Sequence, residues 1–150
     1  MHTVKKSYRD FPAAHRQPKH DGHCRLIHGH NWGWGIVLSA NVLDANGFVL
    51  DVGKMKAVKD FLTAHFDHTL LLNADDPLVV EELTPYQVLR SLSTVIIVPN
   101  CGMEGLAKFV YDEVNLLLER SFNEDFRDRG LRVIEVTCFE DSKNSSTYAE

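Results

Sequence analysis

Apolar and polar positions alternate most clearly between residues 28 and 43. His28, His30, Trp32, Trp34, Ile36, Leu38, Ala40 and Val42 share one parity, and Gly29, Asn31, Gly33, Gly35, Ser39 and Asn41 share the other. A period of two places the first set on one face of a sheet, and Asp44-Ala45-Asn46-Gly47 then supplies turn residues. A first strand is expected over 2–11, where the alternation is weaker, followed by a loop over 16–26 rich in Arg, His, Lys, Pro and Gly. The period becomes helical over 54–66, where Met55, Val58, Phe61, Leu62 and Phe66 form a stripe and Asp51 stands upstream as a cap. Leu106, Ala107, Val110, Val114, Leu117, Leu118 and Phe122 predict a second helix over 103–122. Thr94 to Val98 reads as a short β-branched strand, 131–140 as another, and Tyr148 as part of a last one. Residues 74–92 suggest only short helical turns around Pro77 and Pro85. This order predicts an α+β domain with its helices on one face of an antiparallel sheet.

The length of 150 residues suits one domain, 1–150, with a substantial core. A composition of 44% apolar and 25% charged residues is that of a globular protein. No apolar run approaches membrane-spanning length, and MHTVKKSYRDF lacks the apolar core of a secretion signal. A soluble, cytoplasmic protein with no membrane partner is expected. The formal net charge of -5 argues against nucleic-acid binding, which needs a basic footprint. Cys24, Cys101 and Cys138 are widely spaced and form no CxxC pair, so they are expected to be reduced thiols.

Histidine is where the composition becomes specific. Six of the eight histidines fall between His15 and His65, and His68 follows closely. His28 and His30, at i and i+2 of the best strand, project to the same side. Two imidazoles so placed suit a shared metal ion, and a catalytic zinc site takes three protein ligands and keeps one position open. His15, ending Phe11-Pro12-Ala13-Ala14-His15, is the best third ligand if the loop returns the first strand alongside the second. His20 and His23 are rivals within that loop. The plain alternative is a set of surface or hydrogen-bonded core histidines.

These residues resemble a known family. Phe11-Pro12-Ala13-Ala14-His15 and Cys24-Arg25-Leu26-Ile27-His28-Gly29-His30 are similar to the metal and cysteine motifs of the 6-pyruvoyl-tetrahydropterin and 6-carboxytetrahydropterin synthases. Phe66-Asp67-His68 after the first helix, Glu104 at the start of the second, and Glu140 with Tyr148 near the end follow in the same order. The resemblance implies a T-fold, a four-stranded antiparallel sheet with two helices on one face, in trimers that stack as hexamers. It implies a lyase acting on a pterin triphosphate, 7,8-dihydroneopterin triphosphate, with Zn2+ held by His15, His28 and His30. Cys24 would be the general base, and Asp67 and His68 a proton relay shared across subunits. Glu140 and Glu104 would anchor the pterin. Glu140 ends a mostly apolar strand face, where a carboxylate needs a partner, and the paired N–H donors of a pterin edge supply one.

The three-residue gap between Cys24 and His28 resembles the carboxytetrahydropterin synthases of queuosine biosynthesis, which release acetaldehyde and triphosphate. A pyruvoyl-type enzyme, which only eliminates triphosphate, is the alternative. Gly102 and Met103 stand where the family carries hydroxyl residues before its Glu, which motivates a third reading, a non-catalytic zinc or pterin-binding protein. The segment from Leu71 to Asn100 looks longer than in compact family members. Arg16, Lys19, Arg25 and Lys54 are candidate triphosphate contacts, with ordinary surface charge as the commoner explanation. Trp32 and Trp34 are read as core.

Overall fold

A computed structural model describes residues 1–150. Its strands are β1 (His2–His15), β2 (His28–Ala40), β3 (Thr69–Asn73), β4 (Thr94–Val98), β5 (Arg132–Phe139) and β6 (Ser145–Ala149). Its helices are α1 (Lys56–Phe66), α2 (Pro77–Val80), α3 (Thr84–Leu92), α4 (Met103–Ser121) and α5 (Asn123–Arg129). The strands form one sheet in the order β4-β3-β1-β2-β5-β6. The β1–β2, β2–β5 and β5–β6 pairs are antiparallel, as expected. β3 and β4 extend the sheet beyond the expected four strands, and they do so in parallel.

All five residues of β3 are buried. A strand covered on both faces shows no alternation, which is why Thr69–Asn73 carried no strand signal. The expected turns around Pro77 and Pro85 are α2 and α3, each with proline in its first turn, where its missing N–H costs nothing. α5 was not anticipated. It is one short helix ended by Gly130 at φ 64°, a left-handed position that suits glycine.

α1 and α4 carry the two helical stripes into a single core. Val58, Leu62 and Phe66 of α1 meet Leu106, Val110, Val114 and Leu118 of α4 over Trp32, Trp34, Ile36 and Leu38 of β2. Both tryptophans are fully buried, as expected for core. Asp51 does cap, but it caps a 3-10 turn ahead of α1, where its side chain accepts from the Gly53 N–H.

Two bulges decide which side chains face this core. In β1, Tyr8 pairs with Trp34 but Phe11 pairs with Trp32, so Arg9 and Asp10 together oppose Gly33. Asp10 takes φ 69° there, and its carboxylate accepts from Asn31 Nδ2 at 3.0 Å. The extra residue changes the phase of the strand. Even positions such as Tyr8 face the core before the bulge, and Phe11, Ala13 and His15 face it afterwards. In β5 the register shifts between the Val37–Glu135 and Leu38–Val133 pairs. Val133 and, past the shift, Val136 and Cys138 therefore all face inward.

Candidate active site

His15 pairs directly with His28 across β1 and β2, and His30 lies two residues further along on the same face. Ring centroids are 4.6 Å apart for His15 and His28, 5.1 Å for His15 and His30, and 5.0 Å for His28 and His30. One nitrogen from each ring lies within 4.8 Å of the others. The structure thus brings the three expected ligands together. His20 and His23 stay in the exposed loop.

Hydrogen bonding determines which nitrogens converge. His15 Nδ1 lies 2.7 Å from the carbonyl oxygen of Cys101, and His28 Nδ1 lies 2.7 Å from that of Leu26. A carbonyl only accepts, so each Nδ1 carries the proton and each Nε2 presents a lone pair. These two Nε2 atoms face each other at 3.1 Å. Burial, helped by the neighbouring His28 and His30 and opposed by the Cys101 hydrogen bond, pushes the His15 pKa down from 6.5 to about 4. His15 is therefore neutral at pH 7 and does not bridge the gap with a proton of its own. His30 Nε2 is also buried and has no hydrogen-bond partner. Lone pairs that face each other with no proton between them fit a bound cation, and imidazole suits a transition metal.

Glu140 stands beside this cluster. Its Oε1 lies 3.4 Å from His30 Nε2 and 3.7 Å from His15 Nε2. Its phase follows Val136 and Cys138 past the β5 bulge, which directs it to the histidine face. Glu140 and Asp141 also form a second potential ligand group, sharing His30. Glu104 lies in the first turn of α4 and is exposed. Burial, together with the carboxylates of Glu140 and Glu104, pushes the Cys138 thiol well above its ordinary range, so both acids approach the same region of β5.

The departure at Gly102 and Met103 has a local cause. The Gly102 N–H donates to Asn100 Oδ1 at 2.8 Å, so an asparagine two residues upstream serves the helix start. Gly105 allows this asparagine to sit against the helix, since a Cβ there would come within 2.6 Å of the Asn100 carbonyl oxygen. Met103 turns toward the core.

The expected base and relay residues are not joined to the histidines. Cys24 is exposed in a 3-10 turn spanning His23–Arg25, and the Gln17 N–H donates to the Cys24 carbonyl at 2.7 Å, which closes the loop. Asp67 and His68 are bonded to each other at 2.6 Å, and the His68 side chain is 82% exposed. His68 edges an open depression of about 480 Å³ that Pro12, Ala14, Gly29, His30 and Asn31 also line. Of the candidate phosphate contacts, Arg16 is committed to the fully buried Asp76 through two hydrogen bonds of 2.7 and 2.9 Å. Lys19 pairs with Asp75 at 2.6 Å, and Arg25 bonds the Asp21 and Gly22 carbonyls.

The model of the family described as 6-pyruvoyl tetrahydropterin synthase matches residues 3–150. The chain belongs to that family. A 6-carboxy-5,6,7,8-tetrahydropterin synthase from Rickettsia typhi is 37% identical over 78 residues, 51% of this chain and 56% of that one. The chain spans about half the length of the curated relatives it matches. An uncharacterized protein from Wolinella succinogenes superposes with a TM-score of 0.78 at 18% identity, covering 99% of this chain and 98% of that one. The 6-pyruvoyltetrahydropterin synthase of Plasmodium vivax does so with a TM-score of 0.70 at 16% identity, covering 100% and 99%. These likenesses establish the T-fold, with strand number as the point of difference. No helix is long and apolar enough to cross a membrane.

Sequence reasoning missed the supports of the histidine cluster. Asn73 closes an apolar run, Cys101 was read only as a thiol, and the Leu26 carbonyl carries no side-chain signal at all.

Proposed function

We propose that this protein is a zinc-dependent 6-carboxytetrahydropterin synthase, converting 7,8-dihydroneopterin triphosphate to 6-carboxytetrahydropterin, acetaldehyde and triphosphate. The observation that carries the reading is the convergence of three imidazoles with two Nε2 lone pairs 3.1 Å apart. The 6-carboxy-5,6,7,8-tetrahydropterin synthases matched over about half their length and the short Cys24–His28 spacing favour the carboxy product.

His15, His28 and His30 would hold the zinc, and Glu140 would accept from the paired N–H donors of the pterin, with Glu104 as a second acidic anchor. When bound, the metal supplies Lewis acidity that polarises side-chain oxygens and acidifies the adjacent C–H. Cys24 would remove that proton. Among the three thiols it alone is exposed, while burial pushes Cys101 up to about 11 and raises Cys138 well above the ordinary thiol range. Asp67 would orient His68 through the 2.6 Å contact, fixing its tautomer for proton transfer.

The exposure of Cys24, Asp67 and His68 supports a site completed by a second subunit in a cytoplasmic homo-oligomer. Mass spectrometry of the products from zinc-loaded protein tests the reaction. A shortened side chain and acetaldehyde are expected. A pyruvoyl product would establish the alternative lyase, and tight pterin binding without turnover would establish a binding protein.

A further inference from the structure

We propose that Asn73 is a positioning residue for the metal centre, holding the Cys101 carbonyl in the place that sets the ring of His15. The inference rests on the reading that the three histidines hold a metal, and it gives the additional strand β3 a part in that site. Asn73 is the last residue of β3 and is 7% exposed. Its strand runs parallel to β1, with Leu71 paired to His15, so Asn73 lies just past the histidine. Its Oδ1 accepts from the Cys101 N–H at 2.7 Å. The Cys101 carbonyl in turn accepts from His15 Nδ1 at 2.7 Å, and the Cys101 thiol donates to the Arg16 carbonyl at 3.1 Å. Cys101 is fully buried, with no solvent to replace a lost partner. Its peptide lies in the irregular stretch between β4 and α4, where no ladder fixes it. The Asn73 side chain fixes the Asn100–Cys101 peptide, Asn100 Oδ1 holds the Gly102 N–H of the next one, and the constraint passes through the Cys101 backbone to the ring whose Nε2 must face His28.

Groups that orient a ligand from behind commonly affect metal affinity by about 10–100-fold. Asn73→Leu keeps the volume, removes the acceptor and is expected to weaken zinc binding by that factor in a chelator competition on the full chain. Asn73→Asp keeps an acceptor oxygen and is expected to bind zinc like the parent. Gln17→Ala, which removes the 3.3 Å contacts to Asn73 Nδ2 and Asn100 Oδ1 but neither hydrogen bond of the Cys101 backbone, is expected to leave affinity unchanged. A purely structural Asn73 would lower the melting temperature in Asn73→Leu without changing affinity, which would overturn the inference. Long-range nitrogen–proton NMR on metal-free protein supplies an independent readout. The His15 Nδ1–H tautomer is expected in the parent, and a tautomer mixture in Asn73→Leu, or in Asn73→Ala if the first variant does not fold. A parent that binds no zinc would remove the metal-centre reading, and the tautomers would then decide the inference alone. An Nε2–H tautomer in the parent, or no tautomer change in the folded variant, would overturn it.

Discussion

The two histidine-bearing ends of β1 and β3 are built on opposite terms. His15 is 2% exposed, neutral, and held by a peptide that is itself held by a buried side chain. His68 lies two residues past the end of α1 and immediately before β3, has φ 57°, and extends a largely exposed ring with only Asp67 to orient it. A metal ligand must be immobile and deprotonated, and burial supplies both. A proton carrier must reach solvent or substrate, and exposure supplies that. The difference teaches that one chain buries the candidate metal ligands and leaves the candidate proton-transfer pair open to solvent.

The sharpest way to break this contrast is to remove a ligand. His30→Ala should cost more than about 100-fold in metal affinity, beyond the effect of a supporting residue, and reduce turnover by about 10³ or more; metal titration beside steady-state rates checks both. Cys24→Ala should lower turnover by about 10²–10³ while zinc content measured by atomic emission stays full, and full activity in that variant would remove the cysteine from its assigned role. Mixing Cys24→Ala subunits with His68→Ala subunits sharpens the comparison further. If the open half is completed by a neighbour, mixed oligomers regain activity that neither variant shows alone.

The buried half should also be visible without metal. Protonating His15 favours unfolding, because its folded pKa of about 4 lies below its ordinary 6.5. Its contribution is fully present above pH 6.5, is lost as pH falls toward 4, and is constant below that, for about 3 kcal/mol in all. Urea titrations of metal-free protein at pH 7 and pH 4 should differ by this amount more than those of His15→Gln. The smallest effect is expected at the exposed end, where Asp67→Asn should slow turnover by about tenfold and change stability by less than about 0.5 kcal/mol; thermal melts beside rates separate the two.

The same contrast accounts for what could be read from the chain. The ligand triad was legible because β2 alternates cleanly and His15 closes a short motif on a neighbouring strand. The helices were legible because α1 and α4 each bury one stripe. The weak alternation over 2–11 is a physical property of β1, whose bulge reverses the phase between Tyr8 and Phe11. The mixed parity around Glu140 likewise comes from the β5 bulge. β3 was hidden because it is buried on both faces, and Asn73 because its role runs through a peptide rather than through its own contact with His15. Arg16 could not be separated from a phosphate ligand until the structure paired it with Asp76, 60 residues away in sequence.

The bulge at Arg9 and Asp10 gives β1 one residue more than its pairing with β2 requires. Asparagine or glycine at position 10 can hold the same left-handed backbone, so the strand should tolerate replacement there. Deleting that one residue is a different event. Arg9 alone would then oppose Gly33, the strand would alternate without interruption, and Phe11 would keep its place opposite Trp32. Phe11, Ala13 and His15 would stay on the core face, and only the Asp10 carboxylate that accepts from Asn31 would be lost. The molecule thus carries, about 17 Å of extended chain from its metal-ligand candidate, one residue its register can lose, whereas loss of the regularly paired Pro12 would turn His15 to the other face.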